Sequence, residues 1–368
     1  MIYLNLIVIV LLVLQDIVLW LLQSFNFLDH RQGRSLKEWP RVTVLVPARN
    51  EEMLLPSCLQ ALEKLDYPRE CIQFIVGNDQ SSDATAHIIG TWVAAHPNRH
   101  ALDILPLDAS RNMNGKARAL SQMINIATGD LLLFTDADCQ VNPAWVKEMV
   151  CAFRASFGVV TGITAVRPKG FFAKMQAIDW WLTQSMIKGT ADLAYSVTSM
   201  GNNMLISREA YWKVGGFQGL PFSVTEDFAL AQAAIEKGYK PVQQVSAGAL
   251  VMTKSEKNIS ELLKQRKRWM KGAMALPWYW IVLLALQCGF FPAMLFVVIH
   301  HPLWGAGIWI MKMVIQSLLV RSFAGKAGMS ISTIHLLLFE FYYLMVSWCT
   351  IVYYFWPSSI NWKERYYP

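Results

Sequence analysis

Four apolar stretches, each long enough to cross a lipid bilayer, bracket this chain at residues 2–25, 276–299, 303–320 and 331–356. Only Asp16, Lys312 and Glu340 interrupt them with charge. A chain of 368 residues that is 54% hydrophobic and only 16% charged departs from soluble composition in the same direction. Part of it must therefore sit in lipid, while residues from about 29 to 271 read as a mixed, water-soluble sequence. That middle part is ample for one domain with a sizeable core. The first stretch lacks a basic leader and a small-x-small cleavage site, so it reads as a retained anchor. His30, Arg31, Arg34 and Lys37 follow it and nothing basic precedes it, which puts the soluble part in the cytoplasm of an integral inner or plasma membrane protein.

The net charge of +7 is concentrated in Lys254, Lys257, Lys264, Arg266, Lys267, Arg268 and Lys271, just before the second apolar stretch. Such a cluster meets anionic lipid headgroups, and no nucleic-acid partner is expected. Six cysteines form no CxxC pair and no zinc-like spacing, so they read as reduced structural thiols. The expected organisation is an anchor at 1–27, a catalytic domain at 28–253, an amphipathic interface helix at 254–274, membrane helices at 275–357 and a tail at 358–368.

Within the domain, residues 41–47 form an apolar, β-branched run that reads as a buried strand, followed by a helix of about fifteen residues after Asn50. Strands are expected at 72–76, around 102–105 and at 131–134, with helices at about 84–95 and 117–127 between them. Strands alternating with helices imply an α/β fold with a parallel sheet, whose ligands bind at the carboxyl ends of the strands.

The strand at 131–134 ends in Thr135-Asp136-Ala137-Asp138. In extended chain, residues two apart point the same way, so the two carboxylates are expected to converge. Paired hard oxygen donors suit Mg2+ or Mn2+. Capping a helix is the alternative, but Asn142-Pro143 already supplies the cap and first position of the next one.

The segments Val46-Pro-Ala-Arg-Asn-Glu51, Gly77-Asn-Asp-Gln-Ser-Ser-Asp83, Gly115-Lys116, Thr135-Asp-Ala-Asp138, Gly215-Gly-Phe217, Thr225-Glu-Asp227 and Gln265-Arg-Lys-Arg-Trp269 occur in one order. In that order the chain resembles the family 2 glycosyltransferases of the GT-A fold, both ceramide-glucosyltransferase-like and polysaccharide-synthase-like members, over nearly its whole length. The resemblance implies a Rossmann-like nucleotide-sugar domain with transmembrane helices at both ends. It implies that Asp79 contacts the base, that Glu51, Lys116, Asp136 and Arg268 contact the rest of the donor, and that Asp138 with Asp136 holds the metal. It makes Asp227 the general base, with Glu226 beside it, and Gln265 and Trp269 the lining of the acceptor site.

Local physics leaves alternatives open at several of these positions. Glu51 also reads as a helix-start acid, Asp83 as an N-cap, Lys116 as a solvated lysine, and Glu226 and Asp227 as first-turn acids that favour a helix N-terminus. That same N-terminus is expected to hold Asp227 ionised. Gly201 and the Gly215-Gly216 pair read as turns that tolerate positive φ. Gln265, Arg268 and Trp269 share one helical face, and Lys264, Arg266 and Lys267 are left for lipid.

The expected reaction is inverting transfer from a nucleotide-sugar, a UDP-sugar by the family pattern, to a lipid or saccharide acceptor. Two other readings compete: a processive polysaccharide synthase, and a non-enzymatic membrane protein or transporter. Few charged residues lie within the spans, and a lipid acceptor needs no polar channel, which favours a single transfer to lipid.

Overall fold

The computed structural model describes residues 2–31, 38–106, 113–195, 197–363 and 365–367. Arg34 and Lys37 of the basic cluster, and Glu364 of the tail, lie outside the described residues. In chain order the elements are helix α1 (Ile2–Phe25), strand β1 (Val42–Ala48), α2 (Leu55–Glu63), β2 (Ile72–Asn78), α3 (Thr85–Val93), β3 (Arg99–Asp103), α4 (Gly115–Asn125), β4 (Leu131–Phe134), β5 (Gln140–Val141), α5 (Trp145–Ala152), β6 (Val159–Thr161) and β7 (Ile163–Val166). There follow α6 (Phe171–Ala191), β8 (Met204–Ser207), α7 (Arg208–Lys213), α8 (Glu226–Glu236), β9 (Val242–Gln243), β10 (Leu250–Thr253), α9 (Ile259–Ala273), α10 (Trp278–His300), α11 (Pro302–Lys326), α12 (Thr333–Phe355), β11 (Ile360–Trp362) and β12 (Arg365–Tyr367).

The contacts divide the chain into two units. One comprises Met1–Leu28, Val166–Leu193 and Ser255–Ile360, and the other Asp29–Ala165, Ala194–Lys254 and Asn361–Pro368. This differs from the contiguous 28–253 domain read from the sequence. Residues 166–193 fold with the apolar helices, and the last residues of the chain fold with the sheet.

In the sheet unit, seven strands run in the order β3-β2-β1-β4-β8-β6-β9. β1 pairs in parallel with β2 and β4, and β2 with β3, while β8 runs antiparallel to β4 and β6. Both faces are covered, which is why the strands are apolar without alternation. Val44, Val46 and Leu133 pack on one side with Leu55, Leu59 and Trp145. Leu45, Leu132 and Phe134 pack on the other with Leu120, Met123 and Leu230. The α2 helix has nine residues rather than about fifteen, residues 52–54 forming a turn before it. β3 starts at Arg99, earlier than read, where its pairing with Phe74 begins. α5 starts at Trp145; Asn142 caps the turn before it, its Oδ1 accepting from the amide of Ala144 at 2.9 Å.

In the helical unit, α1 packs against α10 and α11, and α6 against α11 and α12. Lys312 and Glu340 do not face lipid. The Lys312 ammonium meets the Glu340 carboxylate at 3.2 Å and Gln316 Oε1 at 2.6 Å, and Trp309 Nε1 donates to Glu340 at 3.1 Å. Removing either charge alone would leave the other buried without its ion-pair partner, at a cost of about 3–5 kcal/mol. On α9 the expected supply of lipid-facing cations is smaller than read. Arg266 pairs with buried Asp179, and Lys267 donates to Trp356 O at 2.7 Å and Ser358 Oγ at 2.8 Å. Lys264 and Lys271 stay exposed.

Four helices, α1 from Tyr3 and α10 to α12, are long and apolar enough to cross a membrane. The chain leaves the sheet unit at Lys254 and returns to it at Asn361.

Candidate active site

The carboxyl ends of the parallel strands carry most of the acids. Glu51 follows β1, Asp79 follows β2, and Asp136 and Asp138 follow β4, while Glu226 and Asp227 open α8. The structure gathers all six in the sheet unit, whereas Gln265, Arg268 and Trp269 lie on α9 of the helical unit.

Lys116 is the centre of the first group. It stands in the first turn of α4, whose start is fixed by Asn114: the Asn114 Oδ1 accepts from the amide of Ala117 at 2.8 Å. Asn114 Nδ2 donates to Ser223 O at 2.8 Å and to Glu226 Oε2 at 2.7 Å, tying the beginnings of α4 and α8 together. The Lys116 ammonium then reaches Asp136 Oδ1 at 2.5 Å and Glu226 Oε1 at 3.7 Å. Burial pulls its pKa down, but Asp136, Glu226 and Asp227 outweigh burial and the net shift is upward. Lys116 is thus a buried, paired cation and not a solvated lysine.

Asp227 is held by two main-chain donors, its Oδ2 accepting from Gly201 at 2.6 Å and its Oδ1 from Phe228 at 2.9 Å. These bonds and Lys116 favour the carboxylate, yet burial and the neighbouring Glu226 outweigh them and raise its pKa to about 6. The helix N-terminus therefore does not hold it at the ordinary carboxylate value, because the site is too dry. Gly201 is glycine for closeness and not for positive φ: a Cβ there would lie 2.7 Å from Asp227 Cβ and Oδ2. Gly215 and Gly216 do take positive φ, at 83° and 60°.

β4 ends at Phe134, so Asp136 and Asp138 do not converge through strand geometry as expected. They stand in the turn beyond it, Asp136 against Lys116 and Asp138 against Lys254 at 3.3 Å. Burial raises the Asp136 pKa, and the negative charge of Asp138 adds to it, against the pull of Lys116. Two hard oxygen donors, each already facing a cation, fit Mg2+ or Mn2+. Among the described residues no group of three or more His, Cys, Asp or Glu side chains forms a metal cage. Mg2+ commonly takes only one or two carboxylates and completes its shell with water and substrate phosphate.

Asp79 and Glu51 form the second group. Asp79 pairs with Arg118 on α4 and takes a bidentate contact from Arg365, at 2.6 and 3.0 Å. Glu51 pairs with Lys363; burial raises its pKa against that pull. Asp83 behaves as a cap, its Oδ1 accepting from Thr85 N at 3.0 Å and its Oδ2 from Glu52 N at 3.1 Å.

On α9, Gln265 Nε2 donates to Glu256 Oε1 at 2.7 Å, and Trp269 lies edge-on to Trp180 with centroids 5.4 Å apart. Sequence reading missed Asn114, Arg118, Lys254, Lys363 and Arg365. Asn114 had a usable signal, a cap-type residue directly before Gly115-Lys116. Arg118 carried none that separates it from any helical arginine.

The sequence model of glycosyl transferase family 21 matches residues 2–368. Curated relatives include a probable glycosyltransferase of Bacillus subtilis, 26% identical over 65% of this chain and 56% of its own length. A beta-monoglucosyldiacylglycerol synthase of Trichormus variabilis is 26% identical over 66% of this chain and 51% of its own. A poly-beta-1,6-N-acetyl-D-glucosamine synthase of Staphylococcus aureus is 27% identical over 69% of this chain and 61% of its own. The chain thus spans little more than half the length of the relatives it matches. Among solved structures, a mannosyltransferase of Pyrobaculum calidifontis, in complex with GDP-Man and Mn2+, superposes with a TM-score of 0.59 at 18% identity, covering 88% of this chain and 95% of that one. At that identity the likeness establishes the GT-A fold.

Proposed function

The chain belongs to glycosyl transferase family 21, and on that premise we propose that it transfers one sugar from a UDP-sugar to a lipid acceptor at the membrane surface, with inversion at the sugar carbon. The observation that carries this reading is Lys116, which joins Asp136 at 2.5 Å to Glu226 at 3.7 Å and so unites the metal-type acids with the base-type acids in one partly buried site.

Asp227 accepts the proton of the acceptor hydroxyl as that oxygen attacks the sugar. A pKa of about 6 leaves it ionised at neutral pH yet basic enough to take a proton, which is the useful range for a general base. Glu226 acts on Lys116, and the Lys116 charge stabilises the negative charge that gathers on the leaving diphosphate. Asp138 with Asp136 would hold Mg2+ or Mn2+, which when bound supplies further positive charge to that diphosphate. Asp79 and Glu51 receive the nucleoside, Arg268 assists the diphosphate, and Gln265 and Trp269 receive the acceptor.

A lipid acceptor suits the four membrane-length helices and the family's glycolipid-synthase relatives. A saccharide acceptor and processive synthesis form the second reading, favoured by the poly-N-acetylglucosamine synthase relative. For orientation, the basic residues before α10 (Lys264, Lys271), at the end of α11 (Arg321, Lys326) and in the tail (Lys363, Arg365) support a cytoplasmic sheet unit in an integral membrane protein. With those three groups on one side, α10 and α11 form the hairpin that crosses and α12 is the helix that does not.

The purified chain in detergent is expected to release UDP from a UDP-sugar in Mn2+ and to stop when the metal is chelated. Turnover indifferent to chelation, or none with any nucleotide-sugar, would overturn the reading.

A further inference from the structure

One buried amide holds the starts of two helices. Asn114 is 2% exposed, and its Oδ1 accepts from the amide of Ala117 at 2.8 Å, capping α4. Its Nδ2 donates to Ser223 O at 2.8 Å and to Glu226 Oε2 at 2.7 Å, across 109 and 112 positions of sequence. These bonds fix the orientation of the side chain, since turning the amide over would set a donor against the Ala117 N–H.

Capping alone does not call for asparagine. Aspartate and serine cap a helix about as well, but neither brings two N–H donors to a neighbour. The donors matter because α8 lacks a side-chain cap of its own. Thr225 stands at its N-cap position and makes no side-chain cap bond. The approach to it is a turn closed on Ser223, whose Oγ donates to Thr225 O at 3.0 Å and accepts from Thr225 N at 3.1 Å. Asn114 therefore holds that turn by its carbonyl and the first residue of α8 by its carboxylate.

The two helix starts carry different parts of the chemistry. Lys116 stands two residues after Asn114 and reaches Asp136 at 2.5 Å and Glu226 at 3.7 Å. Asp227 follows Glu226 and accepts from Gly201 N at 2.6 Å. We propose that Asn114 is a positioning residue that couples donor occupancy to placement of the base, a reading that rests on the donor role of Lys116 and the base role of Asp227. When the nucleotide diphosphate draws on Lys116, the start of α4 settles, and Asn114 passes that order to Ser223 and Glu226. Asp227 is then held for the acceptor once the donor is in place.

The test uses the full chain in detergent with UDP and Mn2+ as the probe. In the wild type, UDP is expected to slow amide hydrogen exchange at both helix starts, residues 115–120 and 223–230, a readout that needs no variant to fold. In Asn114→Ser, which keeps a cap for α4, the slowing at α4 should remain and that at α8 should be lost. UDP affinity by calorimetry and KM for the UDP-sugar should stay within about threefold of wild type while kcat falls about tenfold or more, the scale of a misplaced reacting group. Asn114→Asp should lose kcat likewise. Adding Glu226→Gln to it restores both the net charge and an N–H between the two side chains, and should return part of the loss. A loss of UDP affinity in step with kcat, unchanged kcat in Asn114→Ser, or no recovery in the double variant would overturn the proposal. Slowing at α4 alone in the wild type would overturn the coupling and leave the donor assignment standing. Failure of the wild type to bind UDP in Mn2+ would bring down that assignment and the proposal together.

Discussion

Asp227→Asn is expected to abolish transfer by at least about a hundredfold while leaving nucleotide-sugar binding close to normal, the usual scale for loss of a general base. The substitution keeps the shape of the side chain. Its amide oxygen can still accept from Gly201 N–H, which now spans 2.6 Å, while the weaker 2.9 Å bond from Phe228 N–H is lost because the amide nitrogen is itself a donor. What is lost is the group that takes the acceptor proton. A second consequence separates this role from a structural one. The base works only when deprotonated, and its pKa is raised from the ordinary 3.8 to about 6. Wild-type transfer should therefore be at its plateau above about pH 7 and fall tenfold per unit as the pH drops below about 6. An unburied carboxylate would place that limb near pH 4. The residual rate of Asp227→Asn should lack the limb. Retained transfer in the variant, or a wild-type acid limb near 4, would count against Asp227 as the base.

Asp138→Ala acts on a different quantity. It removes one of the two carboxylates that the protein offers to a hard cation, and hard-cation affinity follows the number of such ligands. UDP binding in Mn2+ is expected to weaken by about tenfold or more, equivalent to about 1.4 kcal/mol, while UDP binding in chelator does not weaken and rises if Lys254 gains on the nucleotide. The comparison in chelator matters because the substitution also releases Lys254, which sits 3.3 Å from Asp138. Without that carboxylate the Lys254 ammonium attracts the anionic nucleotide more strongly, with or without metal. If calorimetry gives the same UDP affinity in Mn2+ for both proteins, Asp138 does not hold the metal.

Much of the fold was legible because it is written in local pattern. The strand at 131–134 was placed to the residue, since four apolar residues between polar turns leave no other option. The four membrane-length helices were visible in length and hydropathy alone. The family resemblance stood on motifs whose order no single strand or helix dictates, and the family match covers residues 2–368. What escaped were features set by residues distant in sequence. That α6 folds with the apolar helices depends on partners such as Arg266 for Asp179, 87 positions apart. The pairing of Lys312 with Glu340 spans 28 positions and left no local signal. The raised pKa of Asp227 escaped for a similar reason. The helix N-terminus is visible in the sequence, but the dryness that outweighs it comes from packing.

The candidate site divides along the same line. Acids at strand ends were found because fold and motif both point to them. Their counter-cations were not, because Arg118, Lys254, Lys363 and Arg365 are ordinary surface types until folding sets them against carboxylates. Of these, Lys363 and Arg365 are the most distant, reaching Glu51 and Asp79 across 312 and 286 positions.

The most direct measurement of the central claim is where the sugar goes. Purified chain reconstituted in lipid should be incubated with radiolabelled UDP-sugar and Mn2+, and the products separated into organic-soluble and high-molecular-weight aqueous fractions. The account predicts label in the organic phase, on a species the size of a lipid carrying one sugar, and none when Asp227→Asn replaces the wild type. Label mainly in a long water-soluble polymer would contradict the single transfer to lipid and make the chain a polysaccharide synthase.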